Sequence, residues 1–262
     1  MTLIKSIRFQ NYKKFESYNV ACRNTNILVG PNNAGKSTIL DSLRILDAVN
    51  RFALQNRPIL YDHRTLGPCG SYQIPPSYLP ITIENTVRDY GDDPAELEVI
   101  LSNGAAYNIV VHPDQRLRAY LKTEAALPRT IKEYRKLFPV NIVVVPTLSA
   151  LEPREQIVKA TTLTKNKNTR LASRNFRNFV YESNDEEFMR FSDIVKEGWP
   201  EIEIQRPYIV PGEGIINMLF RERRNTSEVC WAGFGFQAWM QMAFQFLRAS
   251  GDSILVLDVP DI

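Results

Sequence analysis

The stretch Gly30-Pro31-Asn32-Asn33-Ala34-Gly35-Lys36-Ser37 sets two glycines, a lysine and a hydroxyl in the spacing GxxxxGK[ST]. That spacing suits phosphate chemistry. Gly30 and Gly35 let the backbone curl until successive N–H groups face an anion, and a helix opening near Lys36 adds its partly positive end. Lys36 is then a point charge for the β- and γ-phosphates, Ser37 a ligand for Mg²⁺, and Thr38 a contact for the α-phosphate. The constellation reads as a nucleoside-triphosphate site.

A metal between phosphates needs a carboxylate from a second buried strand. The apolar run 253–257 is followed at once by Asp258, which would share Mg²⁺ with Ser37 as a Walker B aspartate. Just upstream, Gly233-Phe234-Gly235-Phe236-Gln237 opens an apolar helical stripe through Trp239, Met240, Ala243, Phe246 and Leu247. Two glycines at a helix start make a second backbone end suited to an anion.

These groups need elements to hold them. Residues 3–9 read as a strand with 18–21 as its partner, and 25–29 as a strand running into Gly30. From Lys36, the apolar residues Ile39, Leu40, Leu43, Leu46 and Val49 predict a helix with one buried face. Pro58, Pro68, Gly70, Pro75 and Pro76 predict a long irregular connection. Beyond Ile81 the period shifts towards two. Runs 96–101 and 106–111 flank Asn103-Gly104, a tight-hairpin signal, and 116–121 adds a strand to the meander. Residues 141–145 suit a buried strand, and 187–199 a helix facing a core. The basic stretch 165–177, with Lys165, Lys167, Arg170, Arg174 and Arg177, is either a solvated face or a phosphate or partner surface.

Composition removes several classes. A chain of 262 residues with 44% hydrophobic and 23% charged residues is globular rather than disordered or fibrous. Its net charge of +3 argues for neither nucleic acid nor membrane. Three separated cysteines and two histidines give no disulfide framework or zinc spacing. No apolar run is long enough to cross a bilayer. A cytoplasmic protein, without a membrane partner, is expected.

The chain resembles the ABC-type ATPase heads of the RecF, SMC and OLD group. The resemblance is carried by FQNYKKF at 9–15, LVGPNNAGKST at 28–38, GFGFQ at 233–237 and ILVLDVP at 254–260. It implies an α/β P-loop NTPase: one head over 1–262 with a mixed sheet, an antiparallel β meander and a helical signature lobe. The ATP-binding lobe would span 1–145, a helical insert lobe 146–230, and the signature and Walker B 231–262. ATP and Mg²⁺ are the implied cofactors. Lys13 holds the place of the family's nucleotide-touching basic residue. Gly233, Phe234, Gly235, Phe236 and Gln237 would face the γ-phosphate of a second protomer, giving a homodimer or higher oligomer. The group's settings, DNA repair and anti-phage defence, imply DNA or an effector or nuclease as further partners.

The sequence departs from that pattern at several places. Val259 stands where the family has a water-orienting glutamate after the Walker B aspartate. Gln156 is the candidate Q-loop residue. No switch histidine follows before Ile262, so the head alone is expected here, with strands or a partner from elsewhere covering its last strand. A nucleotide-dependent switch and a non-hydrolysing ATP-binding scaffold both fit these residues. A small-molecule kinase using Arg221, Arg223 and Arg224 leaves 233–237 without a role. Guanine recognition is disfavoured, since Asn166-Lys167-Asn168-Thr169 lacks the aspartate it needs.

Overall fold

The structure, a computed structural model, describes residues 3–79, 81–145, 148–166, 170–249 and 251–258. Two compact units divide the chain, Met1–Ile142 and Val143–Ile262.

In the first unit, β1 (Ile4–Tyr12) and β2 (Phe15–Ala21) form a hairpin. Helix α1 (Lys36–Ala53) follows, then β3 (Ile59–His63) and β4 (Gly67–Ile74). The meander is β5 (Ala95–Leu101), β6 (Ala106–Val111) and β7 (Leu117–Lys122), closed by the short helix α2 (Ile131–Leu137). These strands make one seven-stranded sheet in the order β2-β1-β5-β6-β7-β4-β3. Every neighbouring pair is antiparallel.

Alternation sets the sheet's faces. Ala95, Leu97, Val99 and Leu101 are buried on one side of β5, while Glu96, Glu98 and Ile100 point the other way. Helix α1 turns Ile45, Leu46 and Val49 inward, each fully buried. Each such side chain contributes about 1.5–3 kcal/mol relative to exposure, as an upper bound. A buried polar chain pins the helix. The Tyr134 hydroxyl donates to Asn50 Oδ1 at 2.9 Å and meets the Tyr107 hydroxyl at 3.0 Å, and Asn50 Nδ2 donates to the Val140 carbonyl at 2.6 Å. The N-terminus of α1 is therefore carried on a helix with little freedom to shift.

Two expectations are corrected in this unit. The prolines at 58, 75 and 76 bracket strands instead of breaking them. Pro58 precedes β3 and Pro75 follows β4, while Pro68 pairs with Asp62 near the turn made by Gly67 at φ 70°. The expected irregular connection is thus a hairpin on the sheet edge. Residues 25–29, expected as a strand, join no sheet, with Ile27 and Val29 more than four-fifths exposed. The physical reason is sheet order. The edges of β1 are already taken by β2 and β5. The large sheet is consequently antiparallel rather than mixed.

The second unit opens with β8 (Ile142–Val145), which begins at the boundary, and β9 (Glu155–Gln156). Helices α3 (Ala160–Asn166), α4 (Phe176–Tyr181) and α5 (Asp185–Gly198) follow. Then come β10 (Ile202–Ile204), β11 (Tyr208–Val210), β12 (Ile215–Asn217), β13 (Leu219–Glu222) and β14 (Asn225–Glu228). Helix α6 (Phe234–Arg248) and β15 (Ile254–Leu257) complete it. Two three-stranded sheets, β10-β13-β14 and β11-β12-β9, stand beside the two-stranded β15-β8. The segment 146–230, expected as a helical or insert lobe, holds both helices and small sheets among its described residues. Its two- to four-residue strands are too short to show a period in the sequence. Phe176, Phe191, Val195, Phe220, Met240 and Phe244 form part of the unit's buried core.

Candidate phosphate-binding site

Residues 30–38 form a loop closed onto α1. Asn33 sits at φ 67° and Gly35 at φ 101°, both left-handed, and the Ala34 N–H donates to the Pro31 carbonyl at 3.1 Å. Gly35 is the residue before the helix and offers no side chain to its first turn, which also holds no acidic residue. The first amide N–H groups of a helix have no partner inside it. Left without a capping side chain beside a basic residue, they suit an anion.

Lys36 is half-buried, and its Nζ donates to the carbonyl of Gly30 at 2.6 Å, folding the lysine back over its own loop. Ser37 is exposed at the loop, and Thr38 is buried on the helix. Pro31, Asn32, Asn33 and Ala34 are exposed along the crest.

The β1–β2 turn lies against this loop. An added β-carbon on Gly35 would stand 2.6 Å from Cζ of Phe15 and 3.4 Å from Cδ of Lys14. Lys14 Nζ donates to the carbonyl of Asn33. Lys13, left-handed at φ 50°, instead places its Nζ 2.5 Å from Asp41 Oδ2, and Arg44 holds Asp41 Oδ1 at 2.8 Å. Beneath them the Tyr12 hydroxyl is buried with no hydrogen-bond partner among the described residues. Burial, reinforced by the Asp41 charge, holds that phenol well above its ordinary pKa. Lys14, Phe15 and Asp41 are additions to the site, and the adjacent Lys13-Lys14 pair was the available signal for the first.

In the second unit, Asp258 follows β15, is half-buried, and its N–H donates to the Val145 carbonyl at 3.2 Å. Val259 lies outside the described residues. Gly233 precedes α6 without a capping side chain, and neither Gly233 nor Gly235 has a neighbour within 4 Å of an added β-carbon. Phe234 and the nearby Trp231 are exposed. Phe236 and Gln237 point the other way. Gln237 Nε2 donates to the carbonyls of Cys230 and Ala232, and its Oε1 accepts from the Leu151 N–H at 2.7 Å. Gln237 is a strut that shapes the turn, so Gly233, Phe234 and Gly235 are the accessible part of this motif. Gln156 is exposed on β9.

The basic stretch is redistributed. Arg177 is wholly buried, with Nε and Nη2 on the two oxygens of Glu228 at 2.7 and 2.8 Å and Nη1 on Glu155 at 3.2 Å. It is a core ion pair, not a surface for phosphate. Arg174 is exposed and paired with Glu152 at 3.3 Å, and Lys167 lies outside the described residues. A separate cleft of about 760 Å³ in the first unit, lined by Leu60, Tyr61, Cys69 and Leu127 among others, includes no residue of the 30–38 loop.

The AAA ATPase domain family matches residues 3–209, most of the chain and all of the phosphate loop. This chain belongs to the AAA ATPase domain family. No curated protein matches it. Family membership implies binding of ATP, usually with Mg²⁺. Residues 233–237 and Asp258 fall beyond the matched segment. No helix among the described residues is long and apolar enough to cross a membrane.

The loop fits those ligands on its own geometry. It offers an uncapped helix end, a lysine within reach and an exposed hydroxyl one residue on. Mg²⁺ at this loop would be held by Ser37 and would supply charge neutralisation between the phosphates.

Proposed function

We propose that this ATPase domain is a nucleotide-dependent association switch of the RecF/SMC/OLD kind, working in DNA repair or anti-phage defence. The observation that carries it is the loop at 30–38, whose uncapped helix end has Lys36 folded onto the Gly30 carbonyl. A triphosphate attracts the lysine ammonium more strongly than a neutral peptide carbonyl does, because it adds charge–charge attraction to the hydrogen bond. ATP arrival therefore turns Lys36 outward to the β- and γ-phosphates while the first turn of α1 takes the anion.

The switch arises because Gly233, Phe234 and Gly235 offer a second open helix end with an exposed aromatic beside it. In this reading that end completes the ATP site of another copy. Val259 follows the metal-binding Asp258 without an oxygen to orient water, so the closed state is long-lived and the domain holds ATP better than it cleaves it. Sedimentation with a non-hydrolysable ATP analogue tests the reading. The expected result is a dimer or larger species that is lost in Gly235→Arg, a substitution with open space around it. A strict monomer under every nucleotide condition would contradict it.

A further inference from the structure

We infer that Lys14, not Lys13, is the cation that the β1–β2 turn delivers to the bound triphosphate; this rests on the ATP-binding reading of the 30–38 loop. The two lysines are neighbours in sequence but face different acceptors. Lys13 is committed to Asp41, a carboxylate on the inner part of α1 that Arg44 holds from its other oxygen. Its backbone is fixed as well, since the Lys13 N–H donates to the Thr86 carbonyl at 2.7 Å. Turning Lys13 to a phosphate would break a half-buried ion pair.

Lys14 has no such commitment. Its stem passes over Gly35 and its ammonium ends on the Asn33 carbonyl at the loop crest, with the Phe15 ring seated on Gly35 beside it. An ammonium on a neutral carbonyl lacks the charge–charge attraction that a phosphate would add. The loop thus carries two lysines parked on its own carbonyls, Lys36 on Gly30 and Lys14 on Asn33. The arrangement assigns both the same fate when a polyphosphate arrives: each leaves a carbonyl for an anionic oxygen. Because Lys14 comes from the turn, it also ties the β1–β2 hairpin to nucleotide occupancy.

Calorimetric titration of Mg²⁺–ATP and of AMP into wild type, Lys14→Ala, Lys14→Arg and Lys13→Ala tests this, alongside melting temperatures without nucleotide. Loss of one charge-assisted contact lowers affinity about tenfold or more. Lys14→Ala should lose that much for ATP, much less for AMP, keep the wild-type melting temperature, and regain affinity in Lys14→Arg. Lys13→Ala should show the reverse balance, a lower melting temperature with the smaller loss of ATP affinity. Equal ATP affinity in Lys14→Ala and wild type, or a larger loss in Lys13→Ala, would overturn the assignment while leaving the loop as the ATP site. Absence of ATP binding by wild type would remove both.

Discussion

The ring of Phe15 occupies the space that a β-carbon on Gly35 would need, with its Cζ 2.6 Å from that position. Gly35 is thus required twice, once for its φ of 101° and once for the approach of the β1–β2 turn. The loop and the hairpin carrying Lys14 form one unit of structure.

Gly35→Ala should therefore cost more than a backbone effect alone. A left-handed non-glycine residue costs about 1–3 kcal/mol, and the Phe15 contact adds to it. Thermal unfolding of the first unit is expected to move to lower temperature, with ATP binding lost. A variant that keeps both stability and binding would show that the hairpin yields freely.

Arg177 predicts a different kind of sensitivity. Removing it leaves Glu155 and Glu228 buried without their cation, a loss of about 3–5 kcal/mol. Arg177→Ala should unfold the second unit well below the wild-type temperature, as followed by circular dichroism. An unchanged melting curve would mean that water replaces the guanidinium without cost.

The two carboxylates give this pair a pH signature. Burial raises Glu155 above the ordinary carboxylate range despite its bonds from Asn178 and Arg177. Its contribution to stability is therefore present at low pH and lost as pH rises through that raised value. Burial also opposes ionisation of Glu228, but Arg177 and the Cys230 N–H outweigh it and hold its pKa down. Its contribution is present above the ordinary range and lost as pH falls through the lowered value. In Glu155→Gln only the second remains, so melting temperature should fall continuously on acidification where wild type levels off. Parallel curves for the two proteins would refute the assignment of signs.

The parts of this fold legible in the sequence are those with long periodic signals. The stripe Ile39, Leu46, Val49 marked α1, and Asn103-Gly104 fixed the β5–β6 hairpin. What stayed hidden depended on partners distant in sequence. Residues 25–29 carry strand residue types, yet pairing is a property of neighbours, and β1 already has two. Arg177 looked like one cation of a basic run because Glu155 and Glu228 lie 22 and 51 residues away. Gln237 had the spacing of a ligand residue, but its bond to Leu151 spans 86 residues. The loop at 30–38 could be proposed from sequence because its candidate groups are local, all inside nine residues.

Hydrolysis should respond to a single added carboxylate. A positioned base contributes about 10²–10⁴ in rate, so Val259→Glu is expected to raise steady-state phosphate release well above that of wild type, for which only trace turnover is expected. Wild-type turnover at the ordinary ~1–10 s⁻¹ of working enzymes would mean that another residue orients the water and that Asp258 is not the Walker B aspartate.

The most direct measurement is calorimetric titration of Mg²⁺–ATP into the wild-type chain and Lys36→Ala. The expected result is saturable one-site binding by wild type, favouring adenine over guanine nucleotide, and no detectable heat of binding in the variant. Equal binding by both proteins would contradict the claim that residues 30–38 hold the phosphates.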